Sequence, residues 1–393
     1  MEQTSLPRQL QRLQQYQGDL TGTMGTDDTV VIRPGLIATF FYEGGSTVAV
    51  RHKIVECFDY FYELFGTQLK GKFFSGEKFG QMTTAIYQRC RTKALKLVDP
   101  DDALEWLITS EKTKDYAPSY QMGCLTIQRV HEEWGRKSFL KFALPAEILL
   151  SANGREQYQL LVAFIANKLN PVHGYGGFSP ILPADYHQYM PYEYELAQRF
   201  IGLDVDTRAF VAGAFELQHH IKGANWLTVL GDGFVQQLGG ESAIRAQLAA
   251  WPEITFSHYA GGLMIQAGEY PDLGAPEDGA PIPYVAVNRV VKPVRTTEPG
   301  SLHYYLPQQN GFDEAESGSW YARFDNIPLP KPEPTTEQAA PGGRCEGGQP
   351  CPQSGFWWTP AKKGAERHFE QGEVMPDFPS SKYGDTIWYL DTV

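Results

Sequence analysis

Cysteine is scarce in this chain, with 5 among 393 residues, an odd set that excludes a disulfide framework as the main support of the fold. Cys57, Cys90 and Cys124 lie inside apolar patterns, where a thiol behaves as a small hydrophobe. Only Cys345 and Cys351 are spaced for a disulfide or a metal. With no second pair and no His at ligand spacing, no metal is expected there. Long apolar runs are missing too. The longest, Leu36 to Tyr42 and Leu160 to Ala166, fall far short of a membrane span, which needs ~18 residues. Met1 to Gln17 is rich in Gln and lacks the apolar core of a secretory signal, so the cytoplasm is the expected compartment.

The common catalytic signatures are equally absent. There is no HExxH, no GxSxG, no GxxxxGK[ST] and no GxGxxG between a strand and a helix, and each absence removes a large enzyme class. No cofactor is expected. His131-Glu132-Glu133 begins like a zinc protease motif, but position 135 is Gly and the second ligand is missing. His219 and His220 are adjacent, and in a strand they would point to opposite faces. His173, in the Gly-rich stretch Pro171 to Pro180, is read as part of a loop with unusual backbone angles. Two readings stay open for it: a structural turn, or the base of a cryptic hydrolase working with Glu193 or Asp185.

Basic charge is short: 34 Lys and Arg face 46 Asp and Glu, for a formal charge of −12. Residues 151–330 hold 19 acids against 10 bases, which is nine of the twelve excess negative charges. Such a field repels nucleic acid and anionic membrane and attracts a basic protein. It is equally what a solvated, soluble surface looks like. Aromatics, by contrast, are plentiful at 13%, with 21 Tyr and 8 Trp, more than a core requires. Tyr and Trp are the usual anchors of protein interfaces.

Periodicity predicts a strand over Thr29 to Tyr42, interrupted at Pro34-Gly35, and an amphipathic helix over Val48 to Phe65. Further helices are predicted at Phe79 to Leu97, Asp101 to Thr109, Glu156 to Leu169, Tyr192 to Phe200 and Ser242 to Trp251. Strands are predicted at Gln121 to Val130, Phe139 to Leu150, the opening of Glu216 to Leu230, Ile254 to Gly261, Leu263 to Gly268 and Tyr284 to Val294. The fold class that follows is α+β, a mainly antiparallel sheet with helices packed on one face, plus a small C-terminal β module. The expected organisation is a polar segment over 1–28, a main domain over 29–326, a Pro-rich linker over 327–344 and an aromatic-rich β module over 345–393. Strand, Gly turn and helix follow one another in Phe40 to Phe65 and again in Phe142 to Leu169. That order is consistent with two related halves, 29–150 and 151–326.

Five ordered motifs carry a resemblance: NPVHGYGGF from Asn170, RFIGLDVD from Arg199, IKGANWLTVLGD from Ile221 followed by LGG, GGLMIQAGEYPDLG from Gly261, and VVKPVR from Val290. Together they resemble the type VI secretion immunity family, TsiV-like proteins paired with nuclease effectors. The likeness runs over about residues 30–305 and is strongest from 155 to 305. It implies an inhibitor of a cognate effector toxin, a nuclease, with a monomeric or small oligomeric free state; the acidic balance adds that the toxin domain is basic and that neither nucleic acid nor membrane is a partner. Within the motifs Trp226 reads as core, Asn225 as a turn-fixing side chain and Gly223 as a special backbone position. The candidates for toxin contact, read as exposed, are Tyr192, Glu193, Glu195, Asp204 and Asp206. The last two are two apart and would share one side of an extended strand. A scaffolding component of the secretion machinery is the remaining alternative.

Overall fold

A computed structural model describes residues 6–330, 343–379 and 386–390, apart from 27, 207–216, 218, 304–308 and 363. Arg8–Gln15 forms α1 and Gly22–Met24 forms β1, which pairs with β2, Thr29–Tyr42. β2 runs through the predicted break without interruption. Pro34 lies opposite Pro180 of one neighbouring strand, and pairing with the strand on the other side begins only at Gly35. The missing N–H of Pro34 therefore falls where the ladder is one-sided.

From Leu36 onward the pleat of β2 feeds two cores. Leu36, Ala38, Phe40 and Tyr42 enter the larger one. It is covered by α2 (Val48–Phe65), α3 (Thr84–Leu95) and α5 (Gly154–Leu169). α2 starts where the Thr47 hydroxyl accepts from the Val50 amide at 3.3 Å. It then buries Ile54, Cys57, Phe58, Phe61 and Phe65, with Phe58 stacked on Trp106 at 4.1 Å. Each such side chain is worth roughly 1.5–3 kcal/mol of burial. Ile37 and Phe41 point the other way into a smaller core that holds Phe139, Ala143, Tyr175, Trp320 and Tyr321.

The remaining strands are β3 (Gly71–Phe74), β4 (Gly80–Gln81), β5 (Glu105–Thr109), β6 (Gln121–Leu125), β7 (Ser138–Pro145), β8 (His173–Ile181), β9 (Leu227–Gly231), β10 (Ile254–Tyr259) and β11 (Gly262–Ala267). They join β1 and β2 in one eleven-stranded sheet of order β10-β11-β9-β8-β2-β7-β6-β5-β3-β4, with β1 on β2, antiparallel at each pairing. Between and after them lie α4 (Arg129–Glu133), α6 (Met190–Arg199), α7 (Asp232–Gln237), α8 (Glu241–Leu248), α9 (Ile282–Val291) and α10 (Glu314–Tyr321). α6 and α10 cover part of the second sheet face, through Ala197 and Trp320.

Four predicted segments come out differently. The stretch expected as a Gly loop is the central strand β8, buried at all nine positions. Its glycines are there for closeness rather than for torsion. A Cβ on Gly174 would stand 2.5 Å from the Thr39 carbonyl oxygen, and one on Gly176 would stand 2.7 Å from that of Ile37. Asp101 to Thr109 is a turn leading into β5, not a helix. Tyr284 to Val294 is mostly helix α9, buried nearly all round, and such a helix has no polar stripe to betray its period. Within Glu216 to Leu230 the strand starts only at Leu227; 216 and 218 lie outside the described residues.

The chain divides into two compact units, Met1–Leu329 and Pro330–Val393. α1 belongs to the first, buries Leu10 and Leu13, and is tied by Arg8 to Asp272 and by Arg12 to Asp278. The second unit is a four-stranded sheet of β12 (Arg344–Glu346), β13 (Gly355–Trp358), β14 (Glu366–Phe369) and β15 (Ile387–Leu390), in the order β12-β15-β13-β14. Its core is Cys345, Cys351, Trp357, Phe369, Met375 and Trp388, and both thiols are free. Most of the Pro-rich stretch, 331–342, lies outside the described residues. Among them no helix is long and apolar enough to cross a membrane.

Candidate functional site

α6 sorts the candidate contact residues by its period. Glu193 and Ala197, four apart, turn inward and are buried. Tyr192, 52% exposed, and Glu195 face solvent. Tyr194 donates its hydroxyl to Glu316 at 2.9 Å and packs its ring edge on Phe312, tying α6 to the start of α10, where Glu314 is exposed. Of the residues read as exposed, Tyr192 and Glu195 are so.

Glu193, Asp204 and Asp206 are not. Glu193 is 1% exposed and accepts from Nδ1 of His303. After α6 the chain docks through the Gly202 amide on the Leu273 carbonyl and the Asp204 amide on that of Phe178, which carries residues 203–206 along the sheet instead of over the surface. Asp204, 2% exposed, accepts from Lys222 and from the side-chain amide of Asn225. Asp206, half-buried, accepts from Thr39 at 2.9 Å, Tyr175 at 2.8 Å and Lys141 at 2.8 Å. The expected outward-facing acidic pair is thus an inward polar network. Burial works to raise the Asp206 pKa, but the charges of Lys141 and Lys222 outweigh it and hold the carboxyl below its usual range. Burial lowers the Lys222 pKa, and attraction to Asp204 and Asp206 opposes that only in part.

Three of the five sequence motifs meet in this network: Tyr175 from the first, Asp204 and Asp206 from the second, Lys222 and Asn225 from the third. Trp226 is core, as read, with its indole N–H on the Gly268 carbonyl at 2.9 Å, and Gly223 has φ +140°. Beside the network lies a cavity of about 70 Å³, whose wall includes Gln121, Lys141, Tyr186, Glu193, Asp206 and His303. Lys141 and His303 were not among the residues picked out from sequence. Lys141 had a signal, as the one charge inside the apolar strand Ser138–Pro145; His303 had none.

The hydrolase constellation does not assemble. His173 is 1% exposed, stacked on Phe41 at 4.5 Å, with Nε2 on the Leu217 carbonyl at 2.9 Å. Burial lowers its pKa to about 4. Glu193 is engaged with His303, and Asp185 with Lys114 at 2.7 Å. Glu132 caps the turn at Ser46, and His219 and His220 are both exposed and outside any strand. Among the described residues no three His, Cys, Asp or Glu side chains gather as a metal site.

The acidic excess of 151–330 is also largely consumed internally. Asp185, Glu193, Asp204, Asp206, Glu241, Glu269, Asp272, Glu277, Asp278 and Asp325 all have cationic or His partners. Among the described residues of that stretch, the exposed carboxylates without a side-chain partner are Glu156, Glu195, Asp232, Glu253, Glu298 and Glu314. Glu195 and Glu314 lie on the joined helices α6 and α10 that also present Tyr192.

A comparison with curated proteins returns no match. A solved structure, that of the Pseudomonas aeruginosa T6SS protein PA0821, is similar with a TM-score of 0.70 and 27% sequence identity, covering 78% of this chain and 87% of that one. A family model described as type VI immunity for VRR-NUC, named TsiV, matches residues 53–324, which include α6, α10 and the network residues apart from Thr39. The chain belongs to this family of type VI secretion immunity proteins for VRR-NUC nuclease effectors.

Proposed function

We propose that the chain binds the nuclease domain of a cognate VRR-NUC effector and neutralises it by occluding the active site or the cleft that holds the substrate. The family match over residues 53–324 carries this reading. A nuclease holds a phosphate backbone in a basic cleft, and a chain of formal charge −12 meets it with complementary sign. We assign the contact to the α6 and α10 face, where the exposed Tyr192 is an aromatic anchor flanked by Glu195 and Glu314. Asp204 and Asp206 act behind that face as its support and not as contacts. The chain works as an inhibitor with no turnover of its own, in the cytoplasm, as a monomer or small oligomer until the nuclease arrives.

The test is a titration of the cognate nuclease domain with the full chain, reading DNA cleavage and gel filtration together. Cleavage is expected to fall stoichiometrically as a discrete complex appears. Full cleavage at saturating chain would overturn the reading. Large self-assemblies of the chain alone would point instead to a scaffold.

A further inference from the structure

Glu193 is 1% exposed, and its Oε2 is taken by His303. Its Oε1 has no hydrogen-bond partner among the described residues, yet it is not one of the sealed buried atoms that lack one. Glu193 lines the cavity of about 70 Å³, so that oxygen opens into it. A charged donor that enters there gains a charge-assisted hydrogen bond to a carboxylate oxygen that no described protein group already holds.

The rest of the wall says which kind. Its one lysine, Lys141, is already held by Asp206 at 2.8 Å. Beside it stand the carboxylates of Glu193 and Asp206, the amide of Gln121, the hydroxyl of Tyr186 and the ring of His303, over an apolar floor that includes Leu107 and Ile181. The space, about 70 Å³ and open on one side, admits a side-chain head group. Acceptors at the end of a short, partly apolar recess suit a planar cation with several N–H donors on an aliphatic stem, which is an arginine side chain.

We propose that this cavity is a recognition pocket for one arginine of the bound nuclease, whose guanidinium donates to Glu193 while Tyr192 and Glu195 contact the surface around it. The assignment rests on the immunity reading. It makes Glu193 a buried contact, reached through the cavity, and not the exposed one expected from the sequence.

Two measurements on the full chain test it. In the first, N-acetyl-arginine amide is titrated while the ring resonances of His303 are followed by NMR, with N-acetyl-citrulline amide as the uncharged isostere. Saturable shifts are expected for arginine, at least about tenfold weaker for citrulline, as the loss of a charged hydrogen bond implies. In the second, Glu193→Gln and Glu193→Ala chains are compared with the wild type for affinity to the cognate nuclease domain. A rise in Kd of about tenfold or more is expected, measured at a temperature where both variants remain folded. Both variants holding the nuclease as tightly as the wild type overturns the pocket and leaves the immunity reading standing. A wild-type chain that does not hold the nuclease overturns both. Should the variants fail to fold, arginine binding no better than citrulline on the wild-type chain overturns the pocket.

Discussion

Lys222 and Asp204 face each other almost out of reach of water, at 6% and 2% exposure. Removing one partner leaves the other charge buried and uncompensated, so Lys222→Ala and Asp204→Ala are each expected to cost about 3–5 kcal/mol in urea denaturation. The paired change Asp204→Asn with Lys222→Met is expected to recover much of that. Losses below about 1 kcal/mol in the single variants would show that the network is open to solvent. His173 gives a second, pH-dependent signature. Its folded-state pKa of about 4 lies below the ordinary 6.5, so between those values the unfolded chain holds more protons than the folded one. The stability it contributes is complete above pH 6.5 and is lost as the pH falls towards about 4, a term of roughly 3 kcal/mol. A His173→Leu chain is expected to lack that slope; parallel denaturation curves for the two chains across the window would refute the burial of a neutral imidazole. The residue types of this network were readable from sequence, but not their partners, because Asp204 and Lys222 meet across 18 positions and Asp206 and Lys141 across 65.

Among the elements, β8 holds the centre of the sheet between β2 and β9. Gly176 lets the Tyr158 hydroxyl pass to the Ile37 carbonyl, which it reaches at 2.8 Å. A methyl group there meets both, so Gly176→Ala is expected to cost about 1–3 kcal/mol by overpacking. Equal thermal and denaturant midpoints for variant and wild type would mean that the strand yields freely. Elements with one wet side, such as α2, announced themselves through period. β8 and α9 did not, since a segment buried all round shows no alternation of apolar and polar residues, and the three glycines of β8 mimic a loop.

At the scale of the molecule, net charge and local charge part ways. Much of the excess in 151–330 is neutralised at home, so the sign that a partner meets depends on the few carboxylates left over. Reversing two of them, Glu195→Lys with Glu314→Lys, is expected to slow association with the nuclease domain by roughly tenfold at low salt and to flatten its salt dependence, while Tyr192→Ala raises dissociation. Screening over about 8 Å at physiological ionic strength brings the effect within stopped-flow reach. A reversed chain that associates at the wild-type rate, with the same salt response, would move the contact off this face.

Composition, period and ordered motifs were enough to place this chain in an α+β class, to exclude the familiar catalytic signatures and to point to a type VI immunity family. Those are properties of residue types and their spacing, which the chain carries whether or not it is folded. Which carboxylates face water was decided only in the folded chain. Asp204 and Asp206 look exposed on any linear reading, and they turn inward because the cations that neutralise them, on β7 and after residue 216, arrive there only once the sheet has closed. Glu193 and Glu195 differ by two positions on one helix, and the rotation of that helix against the second core makes one a wall of the cavity and the other a surface charge.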